Sequence, residues 1–324
     1  MFKRNTLSVA IAWSLGGFAS LYLSHGVAAE AATPASTQSP AEQEAGSSPT
    51  LAKVVVTAQK REESVQEVPA PISVLSGDKI RDDSLQSANE VTRYIPNASA
   101  GTTDGHGRPR WWIRGLGTGD QGANTVSPVG IYVDDVYIAN LSASGFPLFD
   151  QERVEVLRGP QGTLWGKNTT AGAINFISRR PTFTPEGYFK VDVGDYANRV
   201  VEGAVSDALV DERLAARVAV RHQGRDGYVE NLNDGNDKGA LEDDAARVQF
   251  AARLSDTLDA NLNLHARSYH DTASYGTVSY GLLPGGKNVF GYQIDPEQGK
   301  ANYNAKYEAD VEQAGTNLNL IWQL

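Results

Sequence analysis

The amino-acid sequence predicts an α+β domain built on a small mixed sheet, followed by the first strands of a transmembrane antiparallel β-barrel. Three observations carry this. From Tyr188 onward apolar and polar residues alternate with a period of two, as in strands with one greasy and one wet face. Between Leu51 and Arg180 short apolar runs are broken by glycine and proline, with one helical period among them. At the N-terminus an apolar stretch follows two cations, as in an exported chain.

The alternation can be followed residue by residue. Leu214, Ala216, Val218 and Val220 alternate with Arg213, Arg217 and Arg221. Val248, Phe250 and Leu254 alternate with Arg247, Gln249 and Arg253. Leu258, Leu262 and Leu264 alternate with Asp259, Asn261, Asn263, His265 and Arg267, and Thr316, Leu318, Leu320, Trp322 and Leu324 with Asn317, Asn319 and Gln323. A barrel in lipid must close to satisfy its edges. About six such strands are present, too few to close around a domain, so the polypeptide is expected to be the N-terminal part of a longer one. Short turns are expected near Ser206–Glu212 and Ser255–Thr257, and long connections near Gln223–Asp244 and Tyr269–Asp310, with a short turn at Asp195-Tyr196.

Composition narrows the function classes. Of 324 residues, 40% are hydrophobic and 21% charged, with a formal net charge of -10. Beyond the N-terminus no run of about eighteen apolar residues occurs, which argues against helical spans there. The acidic balance argues against a nucleic-acid groove. Cysteine is absent, which removes disulfide and thiol chemistry.

Along the chain, Lys3 and Arg4, the apolar stretch from Leu7 to Leu23, and Val27-Ala28-Ala29 before Glu30 read as a secretory signal peptide over 1–29, with a membrane anchor as the competing reading. Residues 30–50 are rich in Ala, Ser, Thr, Pro and Glu and read as a disordered linker. Within 51–58, Val54-Val55-Val56-Thr57-Ala58 is a short extended segment at a flexible end, where it can be exposed and offer backbone hydrogen bonds to a partner strand; it also reads as the first strand of the next domain.

Residues 59–181 follow as one domain. Ile72 to Leu75 reads as a strand. A helix is predicted from Leu85 to Tyr94, with Leu85, Ala88, Val91 and Ile95 on one face and Pro96 stopping it. Trp111-Trp112-Ile113-Arg114-Gly115 reads as a strand between glycine-rich loops. Those loops bear His106, Arg108, Arg110 and Asp120, which are candidate ligand contacts or ordinary loop surface. Val129 to Tyr137 reads as a strand containing Asp134-Asp135. Adjacent strand residues point to opposite faces, so the acidic pair suits a tight turn better than shared-proton chemistry. Arg153 to Leu157 is another strand, with Arg153 and Glu155 on one face and Val154 and Val156 on the other. Gly159-Pro160-Gln161-Gly162 reads as a turn, and Ala173 to Ile177 as a last apolar strand. Residues 182–324 hold the barrel strands.

By these residues the chain resembles the TonB-dependent outer-membrane receptors. Val54–Ala58 followed by Gln59-Lys60-Arg61-Glu62-Glu63-Ser64-Val65-Gln66-Glu67-Val68-Pro69 is similar to that family's energy-coupling box and plug start. Ile113-Arg114-Gly115, Ile131-Tyr132-Val133-Asp134-Asp135-Val136 and Phe149-Asp150 fit further plug elements. The most specific run is Arg153-Val154-Glu155-Val156-Leu157-Arg158-Gly159-Pro160-Gln161-Gly162-Thr163-Leu164-Trp165-Gly166-Lys167-Asn168, followed by Ala171 to Ser178. It is not a phosphate loop, because it lacks the glycine-lysine-hydroxyl ending.

The resemblance implies a barrel of about 22 strands filled by an N-terminal plug, in the outer membrane of a Gram-negative bacterium. It implies that Val54, Val55, Val56, Thr57 and Ala58 contact a TonB-type energy transducer of the inner membrane. It also implies uptake of a bulky ligand, most often a ferric siderophore, with cobalamin, haem, glycans and aromatic compounds as alternatives. A passive porin is the competing class. Strand arginines would be costly facing lipid but can meet acidic plug groups in the lumen. The five histidines show no metal-ligand spacing and no nucleophile–base arrangement is visible, so neither an enzyme nor a cofactor is expected.

Overall fold

The computed structural model describes residues 55–61, 63–102, 107–119, 125–231, 234–272, 300–301 and 308–323. The expected signal peptide, the linker and Val54 lie outside them, as do His106 and Asp120.

The N-terminal domain opens with β1 (Val55–Val56) paired to β2 (Glu63–Ser64). Its main sheet uses β3 (Ile72–Ser76), β7 (Val129–Val133), β8 (Val136–Tyr137), β9 (Gln151–Arg158) and β10 (Gly172–Ser178), in the order β3-β9-β10-β7-β8. The sheet is mixed: β10 runs parallel to β7 and antiparallel to β9. Every residue of β10 is buried, as its Gly-Ala-Ile-Asn-Phe-Ile-Ser sequence suits a central strand. A second small sheet holds β4 (Ala98–Gly101), β5 (Arg110–Ile113) and β6 (Leu116–Gly117). Two short helices complete the domain, α1 (Gly77–Asp82), whose N-cap Ser76 accepts from Lys79 N, and α2 (Gly162–Trp165).

Several sequence expectations change in detail. The helix predicted over 85–94 is a 3-10 helix at Ala88–Tyr94, although Leu85, Ala88, Val91 and Ile95 are buried together as its pattern required. Helix α1 has no counterpart in the periodicity analysis, being too short to show a period. The single strand expected from Val129 to Tyr137 is a hairpin, β7 and β8, with Val133 opposite Val136. Asp134 and Asp135 are its two turn residues, at φ 47 and 69 degrees, the tight turn the sequence suggested.

The sheet has two covered faces. One carries Val154, Val156, Ile174 and Phe176 against Trp111, Ile113 and the 3-10 helix. The other carries Leu157, Ala173 and Tyr132 against Trp165, Val56 and Ala58.

Six antiparallel strands follow as one open sheet: β11 (Glu186–Gly194), β12 (Asn198–Val210), β13 (Leu214–Arg225), β16 (Leu241–Ser255), β17 (Leu258–Asp271) and β19 (Ala309–Trp322). Between them, β14 (Val229–Asn231), β15 (Asp237–Lys238) and β18 (Lys300–Ala301) form a small sheet. The strands run further than the pattern suggested: Ser206 to Val210 belongs to β12, so the first short turn is 211–213. Phe189, Val191, Leu318, Leu320 and Trp322 are exposed on the outer face. The inner face buries Arg217, Arg221, Arg247 and Arg267. Arg213 instead sits exposed in the turn.

Candidate functional site

Two ends of the plug can be assigned from what they touch. Thr57, Asp134 and Arg153 line a cavity with Asn261, Asn263, Asn317 and Asn319, toward the short turn that joins β16 to β17. Gly107 packs at the other end of β17, where an added Cβ would lie 3.1 Å from the Tyr269 ring. The candidate ligand residues Arg108 and Arg110, both half-buried, therefore lie toward the long connections, and the Arg110 guanidinium reaches the Gly119 carbonyl at 3.5 Å.

Of the two readings of Val54–Ala58, the described residues 55–58 fit the first strand of the domain: they are docked. Val56 and Ala58 are 0% and 1% exposed, packed with Val68, Tyr132 and Trp165. Only Val55 and Val56 are in a strand, and Val55 keeps 40% of its surface. The reason lies far away in sequence. Thr57 N donates to the buried Glu155 carboxylate at 2.8 Å, and Arg153 Nε donates to the same Glu155 oxygen at 2.8 Å. Trp165 Nε1 donates to the Ala58 carbonyl at 3.0 Å. Lys60 then closes the segment, its ammonium 3.6 Å from the Trp165 ring centre and 2.8 Å from Asp135. The Tyr132 hydroxyl donates to the Trp165 carbonyl, and burial raises the pKa of this phenol. Sequence spacing could show Arg153 and Glu155 on one face but not what docks there.

A second constellation, absent from the sequence reading as a site, joins plug to wall. Asp150 stands at φ 51 degrees between Phe149 and β9, its side chain fully buried. It accepts from Arg217 Nε at 2.8 Å and from Arg217 Nη2 at 2.5 Å, a bidentate pair. Arg247 donates to the Asp150 carbonyl at 2.8 Å and lies 4.8 Å from the Phe149 ring centre. Glu186 takes the other side of Arg217 at 2.6 Å. Nearby, Lys190 Nζ donates to the Arg81 carbonyl and the Ser84 hydroxyl, both at 3.0 Å. The expected meeting of strand arginines with acidic plug groups thus holds for Arg217 and Arg247. Arg267 pairs instead with Asp243 of the wall at 2.8 Å, and Arg253 stacks on Phe183. The one signal in sequence was the surplus of arginine on the polar strand faces, which calls for buried acid somewhere.

The acidic turn touches both the docked segment and, apart from the Asp150 cluster, the wall. Asp134 accepts from Ser178 N at 2.8 Å and from Asn263 Nδ2 at 2.8 Å, and its carbonyl accepts from Asn317 at 3.1 Å. Asp135 accepts from Lys60 and from Asn175.

A mixed-sheet domain bonded to the polar inner face of an antiparallel wall with a greasy outer face defines a plugged barrel protein of the outer membrane. Residues 64–173 match the family model described as TonB-dependent Receptor Plug Domain. Over these residues the chain carries the plug domain of a TonB-dependent receptor. It is similar to the pesticin receptor of Yersinia pestis, 30% identical over 188 residues, which is 57% of this chain and 27% of that protein. It is also similar to the ferrichrome outer membrane transporter/phage receptor of Escherichia coli K12, 28% identical over 183 residues, 55% of this chain and 24% of that protein. Its fold matches the structure of P. aeruginosa FpvA bound to heterologous pyoverdines, with a TM-score of 0.67 and 17% identity, over 83% of this chain and 34% of that one. The alignments thus reach about a quarter of the length of these curated relatives.

Proposed function

We propose that the chain serves active uptake of a ferric siderophore across the outer membrane, with proton-motive force relayed by a TonB-type partner to residues 54–58. The observation that carries the reading is the docked segment. Thr57 is bonded to Glu155 in β9, and β9 begins at the Asp150 region that is bonded to the wall. A pull on the segment therefore reaches the plug core, and strand β9 carries one path of it on to Asp150. The siderophore class is supported by the ligands printed for relatives, ferrichrome and pyoverdines. Arg108 and Arg110, with His106 and Asp120 beside them in sequence, are proposed as ligand contacts; the packing of Gly107 against Tyr269 supports this for Arg108 and Arg110. Removal of residues 1–29 on export belongs to the same reading.

The test uses a complete receptor containing this chain. Val55→Pro removes a backbone donor and restricts the chain at a residue that is 40% exposed and outside the buried cluster of Val56 and Ala58. With ferrichrome and a ferric pyoverdine as probes, energy-dependent uptake should be abolished while binding at the cell surface is retained. Undiminished uptake would reject residues 54–58 as the coupling element. Uptake by the unsubstituted receptor that persists after a protonophore would favour a passive porin.

A further inference from the structure

The outer face of the wall stays apolar up to Ala246, Ala266 and Ala314, which lie opposite one another across β16, β17 and β19. Beyond that row, toward the long connections, it turns polar. His222 of β13 stands directly opposite Asp244 of β16, and His270 of β17 directly opposite Asp310 of β19. His222 Nδ1 lies 2.6 Å from Asp244 Oδ1, and His270 Nδ1 lies 2.7 Å from Asp310 Oδ1. Each pair spans the stem of one long connection, the first between β13 and β16 and the second between β17 and β19. The two connections are themselves joined. Strand β14 of the first pairs with β18 of the second, and Glu230 stands opposite Lys300.

The charges around each imidazole set what it can do. His222 faces Asp244 and Glu242 from β16 and Arg199 from β12. Arg199 and the His222 ring meet over Gly224, where an added Cβ would lie 3.4 Å from Arg199 Nε and 3.6 Å from His222 Nε2. His270 faces Asp310 from β19 and stands opposite Glu242 of β16, with Glu312 next on the same face of β19. These four carboxylates outnumber the one guanidinium, and two imidazolium ions would offset most of the excess. A carboxylate at bonding distance favours the charged imidazole.

We propose that His222 and His270 form a proton-operated clasp on the stems of the two long connections. When protonated, each imidazolium donates to its carboxylate across the hairpin and holds the stem closed. A neutral imidazole keeps at most an uncharged hydrogen bond. Asp244 is then left beside Glu242, and Asp310 beside Glu312, as like charges that repel. The clasp is therefore complete at acid pH and is lost as pH rises through the imidazole titration. Because β14 and β18 link the connections, both loosen together.

Hydrogen–deuterium exchange on a complete receptor containing this chain, held in a bilayer, reads the stems at about pH 5.5 and about pH 8, after correction for the intrinsic pH dependence of exchange. Amides of 226–231, 237–244 and 308–312 should be several-fold better protected at the lower pH, and the short turn 211–213 should show no difference. The double substitution His222→Asn with His270→Asn leaves side chains that can hydrogen-bond but not titrate, and it should abolish the difference. In the unsubstituted receptor, modification of His222 and His270 by diethyl pyrocarbonate, read by peptide mass spectrometry, should rise over the same pH interval in which stem protection falls. Stems with no pH difference, or a difference that survives the double substitution, would overturn the clasp. Should the double variant not assemble, the two profiles of the unsubstituted receptor decide, and profiles that do not coincide overturn it.

Discussion

The plug meets the wall through two seams, one charged and one lined by amides, and they are built for different tasks. At the charged seam, Asp150 is fully buried and shared by Arg217 and Arg247, so removing any one partner strands a charge in a low-dielectric site. At the amide seam, Asp134 is held by Asn263 and Asn317, neutral groups beside a cavity that water can fill. The first arrangement is costly to break and the second is not. The Asp150 side is therefore the harder one to part from the wall, and the docked segment lies on the other side, where Thr57 lines the cavity with Asp134.

Three substitutions can break or sharpen this contrast. Asp150→Ala should have the largest effect, because Arg217 and Arg247 lose their shared carboxylate; a loss of about 3–5 kcal/mol is expected. Urea denaturation of the refolded complete receptor measures it, and a loss no larger than that of a surface substitution would remove the anchor. Glu155→Ala comes next, at about 2–3 kcal/mol, since Thr57 N and Arg153 lose a charged acceptor. Its more specific readout is trypsin cleavage after Lys60 and Arg61, which should accelerate as the segment undocks. Unchanged cleavage would mean that packing around Val56 and Ala58 holds the segment without Glu155. Asn263→Ala should be smallest, at about 1 kcal/mol or less, because Asp134 keeps the Ser178 amide and gains water. A cost comparable to Asp150→Ala would erase the distinction between the seams.

Much of the architecture was legible in the sequence, and the reasons are local. The period-two pattern assigned Arg217, Arg221, Arg247 and Arg267 to the inner face because a strand leaves no other choice once the apolar residues point outward. Asp134-Asp135 read as a turn because two adjacent carboxylates cannot share a buried strand face. The short elements were less legible. Helix α1 depends on Ser76 capping six residues and on Gly77, where a Cβ would lie 1.8 Å from the Gln151 carbonyl oxygen; neither feature has a period. Local sequence could not choose between the two readings of Val54–Ala58, an exposed segment or the first strand of the domain, for a different reason. Short β-formers after a polar linker look free until Glu155, 98 residues away from Thr57, supplies an acceptor and Trp165 supplies a surface. Asp150 stands out in sequence only as part of the Phe149-Asp150 motif, because nothing local shows that two wall arginines converge on it.

Under load the plug should stay fixed at Asp150 and loosen at its turn and its docked segment. Hydrogen–deuterium exchange on the complete receptor in a bilayer, with and without the energised partner, tests it most directly. Backbone amides of 149–153 should stay protected in both states, while those of 55–61 and 133–137 should exchange faster when the partner pulls. Faster exchange at 149–153 than at 133–137 under load would contradict it.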